Sequence, residues 1–302
     1  MLTRYGQKNA SWIDLVAPTP AEVRSLMHEF GIDPLIAEEL LVSSFKPKVE
    51  RRGDVIYVIL HFPIMRGGQR QEQEVDFIIG KEFLITTRYE SVDPLHAFAQ
   101  AFEVSTVLGR PMSHLNGGHL FTSMARALYE AMVNESQTIH RRLQDIEERI
   151  FKGAERQMVI ELSQVGRIIH DFRGALAPHK EMLTSLEPVT SRLFGPEFAY
   201  YLRDLEGVEE RVQRTLDNLH SSMIELRETN NSLLSTKQNE VMKSLTVLAF
   251  IFLPLSFIAG LFGMNTINNP IVGSPYDFWI VLSGMVTLAI VFFIYFKYKE
   301  WL

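Results

Sequence analysis

The chain has 302 residues, more than one small domain uses, and 36 acidic against 30 basic side chains give it a formal net charge of −6. That balance leaves no basic stripe for a nucleic acid to bind. It contains no cysteine, which excludes disulfide frameworks, thiolate zinc sites and thiol nucleophiles together and fits a cytoplasmic setting for most of the chain.

Residues 1–15 hold no apolar core of the signal-peptide kind, so membrane insertion is expected to be driven from the other end of the chain. Thr19-Pro20-Ala21-Glu22 sets an N-cap Thr, a Pro at the first helical position and a Glu placed to cap back. It predicts a helix to Phe30 that stops at Gly31. Asp33-Pro34 opens a second helix, expected to end near Val42. Its acidic pair, Glu38 and Glu39, reads on spacing alone as a solvated face. From residue 48 to 89 the period becomes that of strands: 55–60, 75–79 and 83–87 are β-rich, and Gly80-Lys81 turns between the last two, so they pair antiparallel. Asp93-Pro94 returns the chain to helix. The expectation is a compact α/β layer domain over residues 1–106, with helices on either side of a mostly antiparallel sheet. It carries no phosphate-cradling glycine loop with Lys, no nucleophile elbow and no helical His pair, so no enzyme is read from it.

Residues 107–204 are read as long antiparallel helices. The first, 120–151, closes at Gly153, and the second, 154–186, runs back with Pro178 near its end. A third stretch starts near Phe198 and becomes a stalk over 205–243. Within it Val212, Leu216, Leu219, Met223, Leu226, Asn230 and Leu233 alternate steps of four and three, a coiled-coil seam with Asn230 as its polar member. No Gly or Pro interrupts the chain from Val208 to the first apolar run, so one helix of about 87 Å is expected over 205–262.

The apolar runs 244–262 and 278–296 contain no Asp, Glu, Lys, Arg or His. As a helix each is about 28 Å long, enough to cross a bilayer core of about 30 Å with its flanks. Lys237, Lys243, Lys297 and Lys299 flank this hairpin, while the loop 263–277 has neither Lys nor Arg. The positive-inside rule then puts the loop outside and both termini, with the short tail 297–302, in the cytoplasm. Along the first run Met242, Thr246, Ala249, Leu253, Ser256 and Gly260 share a face, and Phe250, Phe252 and Phe257 lie off it. Small and hydroxylated side chains so arranged serve either close helix packing or an aqueous path, and two helices per chain enclose a path only when several subunits surround an axis.

Directly after the first run stands Gly263-Met264-Asn265. With Asn239-Glu240-Val241-Met242-Lys243, Pro254-Leu255-Ser256-Phe257-Ile258-Ala259-Gly260, the closing Trp301-Leu302 and, far upstream, Pro47-Lys48-Val49-Glu50, the chain resembles the CorA-type magnesium channels over essentially its whole length. That resemblance implies an α+β architecture: a cytoplasmic α/β/α-type domain, a long helical stalk and two C-terminal transmembrane helices, assembled as a funnel-shaped homopentamer in the inner membrane. It implies influx of Mg2+, with Co2+ and Ni2+ as further cargo, gated by intracellular Mg2+ and using no organic cofactor. The pore-facing positions carried over are Asn239, Met242, Leu245, Ala249, Leu253, Ser256 and Gly260. Met242 and Leu245 would form the hydrophobic constriction, and a ring of Asn265 at the outer mouth would hold the hydrated ion through its waters. The regulatory metal ligands carried over are Glu39 and Asp204, from neighbouring subunits.

Some positions depart from the family. Glu39 stands where an Asp is often found, Leu253 and Ser256 replace a Met and a Thr, and residues 266–277 lack the usual acidic element. Related zinc transporters commonly carry Ile in the middle of the tripeptide, so Met264 favours the magnesium branch. The competing expectations are a proton-coupled zinc transporter of the same superfamily and a non-conducting, membrane-tethered oligomeric sensor or scaffold.

Overall fold

The computed structural model describes residues 1–7, 10–44, 46–66, 69–90, 93–107, 116–264, 273, 275–299 and 301. In chain order its elements are β1 (Leu2–Gln7), β2 (Ala10–Val16), α1 (Pro20–Phe30), α2 (Pro34–Glu39), β3 (Lys48–Arg52), β4 (Val55–Arg66), β5 (Gln69–Ile79) and β6 (Phe83–Arg88). There follow α3 (Asp93–Val107), α4 (Gly117–Phe151), α5 (Glu155–Leu176), α6 (His179–Phe194), α7 (Phe198–Phe262) and α8 (Asp277–Tyr298). The chain divides into two units, Met1–Arg227 and Glu228–Leu302, and α7 runs through the boundary.

In the first unit the sheet has the order β1-β2-β6-β5-β4-β3. The β2–β6 pair is parallel and the other neighbouring pairs are antiparallel. Alternation along the strands sends Tyr57, Ile59, Ile78 and Ile85 to one face, where they pack with Val23, Leu26, Ile36 and Leu40 of the α1–α2 segment. On the other face Phe77 meets Phe121 of α4 with ring centroids 5.2 Å apart, and Phe62 meets Tyr129 at 5.5 Å. Trp12 lies edge-on to Phe98 and Phe102 of α3. Helices therefore cover the sheet on both sides. That two-sided burial is why residues 55–60 read as an unbroken apolar run rather than an alternating one.

Local chemistry places the edges of these elements. Thr19 caps α1 through a complete capping box with Glu22, worth about 1 kcal/mol, and Gly31 ends it in the left-handed region at φ 63°. The start of α4 needs a glycine for a different reason: a Cβ on Gly117 would lie 2.1 Å from the Gly80 carbonyl oxygen and 2.2 Å from that of Phe83. The β5–β6 turn and α4 can approach this closely only without a side chain there.

Three sequence expectations are corrected. β1 and β2 occupy a stretch for which no strand was read; β2 completes the sheet by pairing with β6, about 70 residues downstream. The second helix stops at Glu39 rather than near Val42, because the Leu41 and Val42 amides bond three residues back, to Glu38 and Glu39, and tighten the last turn. The predicted helix 154–186 is two helices, α5 and α6. Pro178, which has no N–H to donate, heads the second, and α6 continues to Phe194.

The seam on α7 also finds its partner within the chain over its first half. Val212, Leu216, Leu219 and Met223 are buried, Met223 packs where a Cβ on Gly166 of α5 would touch it, and Arg173 of α5 pairs with Asp217 at 3.0 Å. Between Val212 and Met223 the heptad spacing therefore reports packing against α5, not a coiled coil between copies.

Candidate functional site: the membrane hairpin and two carboxylates

Both α7 and α8 contain stretches long and apolar enough to cross a membrane. In the second unit they pack through one side of α7. Val247 is buried, Phe250 meets Phe296 of α8 at 6.1 Å, and Lys243 Nζ lies 6.0 Å from the Trp301 ring centroid. Ile251, Pro254 and Ile258 on this side are half-buried. Near the loop end of the helices, Ala259, Phe262, Phe278, Val281, Leu282 and Met285 line a cavity of about 400 Å³.

At 100° per residue, the face opposite that contact carries the positions from Met242 to Gly260 singled out from sequence, while Asn239 falls about 80° from Val247, to one side of it. Met242 and Leu245 are each 59% exposed and Leu253 is 71% exposed, and Asn239, Ala249, Ser256 and Gly260 are exposed as well. The single chain thus covers one side of α7 with α8 and leaves the small-residue stripe bare. Thr246, at the stripe's edge, donates its hydroxyl to the Met242 carbonyl at 2.7 Å, tying it to its own helix backbone. Pro254 sits inside α7 and removes the backbone bond its N–H would make to the Phe250 carbonyl. After Phe262 the helix ends on Gly263, whose N–H donates to the Ala259 carbonyl at 2.9 Å. Met264 follows, exposed. Asn265 lies outside the described residues.

The two carboxylates read as metal ligands are both in the first unit, each engaged by a basic group of its own chain. Glu39 closes α2 and accepts from Lys48 Nζ at 2.9 and 3.1 Å. Lys48 also pairs with Glu50 at 2.6 Å, and Glu50 in turn with Arg52. Asp204, on α7, accepts from Arg126 of α4. Glu39 and Asp204 share no ion-pair partner, and among the described residues no group of three or more His, Asp or Glu side chains is arranged to hold a metal ion. Neither counter-ion was singled out from sequence. Lys48 lies in the quoted Pro47-Lys48-Val49-Glu50 segment, but Arg126 gave no signal, since its partner is 78 residues away.

The sequence reading also passed over a buried polar cluster beneath α2. His61 and Glu74 face each other across β4 and β5, and Asp76, on the same face, is fully buried. Glu74 also accepts from Ser43 at 3.0 Å, and His61 Nε2 is 2.7 Å from the Ser44 carbonyl, so the cluster holds the segment that follows α2. Burial, and next the charge of Glu74, push the Asp76 carboxyl well above the usual carboxylate range. The signal that could have found it is Glu74 and Asp76 alternating with apolar Val75 and Phe77 in a buried strand.

Comparison with known proteins agrees with the fold and with the two apolar C-terminal helices. The family described as "CorA-like Mg2+ transporter protein" matches residues 7–298. The cobalt/magnesium transport protein CorA of Thermotoga maritima is 28% identical over 97% of this chain and 83% of its own length. The zinc transport protein ZntB of Pectobacterium atrosepticum is 23% identical over 92% of this chain and 84% of its own. Among solved structures, the complete CorA magnesium transporter of Methanocaldococcus jannaschii superposes with a TM-score of 0.88 at 18% identity, covering 100% of this chain and 98% of that one.

Proposed function

The chain belongs to the CorA-like Mg2+ transporter family, and from that premise we propose that it is a homopentameric Mg2+ channel of the inner membrane, with Co2+ and Ni2+ as further cargo. The observation that carries the reading is the bare face of α7: Met242, Leu245, Ala249, Leu253, Ser256 and Gly260 are exposed on the side away from α8. A lone hairpin in lipid gains nothing from leaving small and hydroxylated positions on one face, whereas copies arranged around an axis would line a wet path with them.

In this reading residues 1–243 are cytoplasmic, 244–262 and 278–296 span the membrane, 263–277 lie outside and 297–302 return to the cytoplasm. Mg2+ gives up its waters reluctantly, so amide oxygens of an Asn265 ring would take the hydrated ion at the outer mouth and release it readily. Met242 and Leu245 would close the inner end by dewetting. Glu39 and Asp204 would bind cytoplasmic Mg2+ in the closed state. A metal held only by that state stabilises it by about 1.4 kcal/mol per site for each tenfold excess over Kd, which five sites multiply into a switch.

A proton-coupled zinc transporter is the second reading, favoured by the zinc transport relatives. The cobalt/magnesium relative shares more of this sequence, 28% against 23% identity, and we place Mg2+ first on that ground. Flux into vesicles of the wild type and Asn265→Ala, with and without a pH gradient, tests both. The channel reading expects Mg2+ influx that needs no pH gradient and falls sharply in Asn265→Ala. Zn2+ uptake that collapses with the gradient would replace it with the second.

A further inference from the structure

Both carboxylates proposed to bind inhibitory Mg2+ already hold a cation. Lys48 Nζ stands between Glu39, at 2.9 Å, and the adjacent Glu50, at 2.6 Å, and Arg126 donates to Asp204 from the neighbouring helix. We propose that Lys48 and Arg126 are resident counter-ions which a cytoplasmic divalent cation must displace from Glu39 and Asp204, and that they set the concentration at which internal Mg2+ closes the protein. The inference rests on the regulatory reading above and adds to it the residues that oppose the metal.

The chemistry follows from charge and exposure. Without Lys48, Glu39 and Glu50 would present two carboxylates with no ammonium between them, the hard oxygen donors that Mg2+ prefers. With Lys48 in place, the metal must first expel a unit charge bonded to both. The pairs are of a displaceable kind: Lys48 and Glu39 are about one third exposed, at 33% and 39%, and Asp204 is 57% exposed, so water screens each bond. A buried and fully enclosed pair would block the metal outright. A half-exposed one shifts its threshold. Arg52 keeps Glu50 engaged from the other side at 2.6 Å, so loss of Lys48 need not release the Glu50 carboxylate from the β3 surface.

The test is inhibition of Mg2+ flux by Mg2+ titrated on the side of the cytoplasmic domain, each variant scored against its own flux at the lowest Mg2+. Lys48→Gln and Arg126→Gln are expected to be half-inhibited at about threefold lower Mg2+ than wild type, the size an exposed ion pair allows. Lys48→Arg and Arg126→Lys, which keep the charge, are expected to stay near wild type. Asp204→Asn is the companion variant. If it relieves inhibition while Lys48→Gln and Arg126→Gln leave the threshold unchanged or raise it, the counter-ion proposal is overturned and the regulatory reading stands. If Asp204→Asn and Glu39→Gln both leave inhibition intact, the regulatory reading falls, and this proposal with it.

Discussion

His61 and Glu74 form a buried pair across β4 and β5, with Nε2 3.2 Å from Oε2 and side chains 7% and 3% exposed. Burial opposes the charge on His61, but Glu74 and the Ser44 carbonyl outweigh it and hold its pKa above the ordinary value. Burial likewise opposes the charge on Glu74, and His61 with Ser43 and Ser44 holds its pKa below. The raised His contributes stability that is fully present below about pH 6.5 and lost as pH rises through its folded pKa. The lowered Glu contributes stability present above about pH 4.5 and lost as pH falls through its folded value. The pair is therefore most stabilising between these limits. Glu74→Gln should lower the melting temperature of the full chain in detergent more at pH 5.5 than at pH 8, by a loss of about 1.5–3 kcal/mol at the lower pH. An equal loss at both would mean that the pair is not ionised.

Asp76 is shifted in the opposite direction to its neighbour Glu74. Its folded pKa is raised, chiefly by burial, so the folded chain binds a proton that the unfolded chain has released above about pH 4, and stability falls as pH rises through that interval. Asp76→Asn keeps the shape and removes the charge. Its melting temperature relative to wild type should climb between pH 5 and pH 8. A difference that stays constant with pH would show that Asp76 carries no such penalty.

Two glycines should respond in opposite directions. A Cβ on Gly117 would fall 2.1 Å from a backbone oxygen, so Gly117→Ala should cost about 1–3 kcal/mol through overpacking between α4 and the β5–β6 turn. Gly207, inside α7, has nothing within 4 Å of its Cβ position, so Gly207→Ala should gain about 0.5–1 kcal/mol of helix propensity. Chemical denaturation of the two variants alongside wild type checks both signs at once.

The parts legible in the sequence were those written in contiguous residues. Two charge-free runs of membrane length gave the hairpin, and Thr19 with Glu22 gave the start of α1, because a cap needs only its own turn. The strands β1 and β2 escaped notice because β2 takes its pairing from β6, and its buried polar residue, Asp14, is satisfied by Thr86 and Arg88, more than 70 residues away. The spacing on α7 reads as a coiled-coil seam, and over Val212–Met223 it is filled by α5 instead, because spacing alone cannot say which helix fills an apolar stripe. At the regulatory carboxylates the sequence showed acids and not their counter-ions. Arg126 meets Asp204 only because α4 and α7 pack side by side.

The central claim is that the bare face of α7 borders water inside an assembly of identical chains. Since the chain has no cysteine of its own, one can be placed at will. Ser256→Cys, on that face, and Ile290→Cys, exposed midway along α8, should be reconstituted in lipid and treated with a charged, membrane-impermeant thiol reagent while Mg2+ flux is followed. Ser256→Cys is expected to be modified and its flux blocked, while Ile290→Cys is neither modified nor inhibited. A Ser256→Cys protein as inert to the reagent as Ile290→Cys, with its flux intact, would contradict the claim.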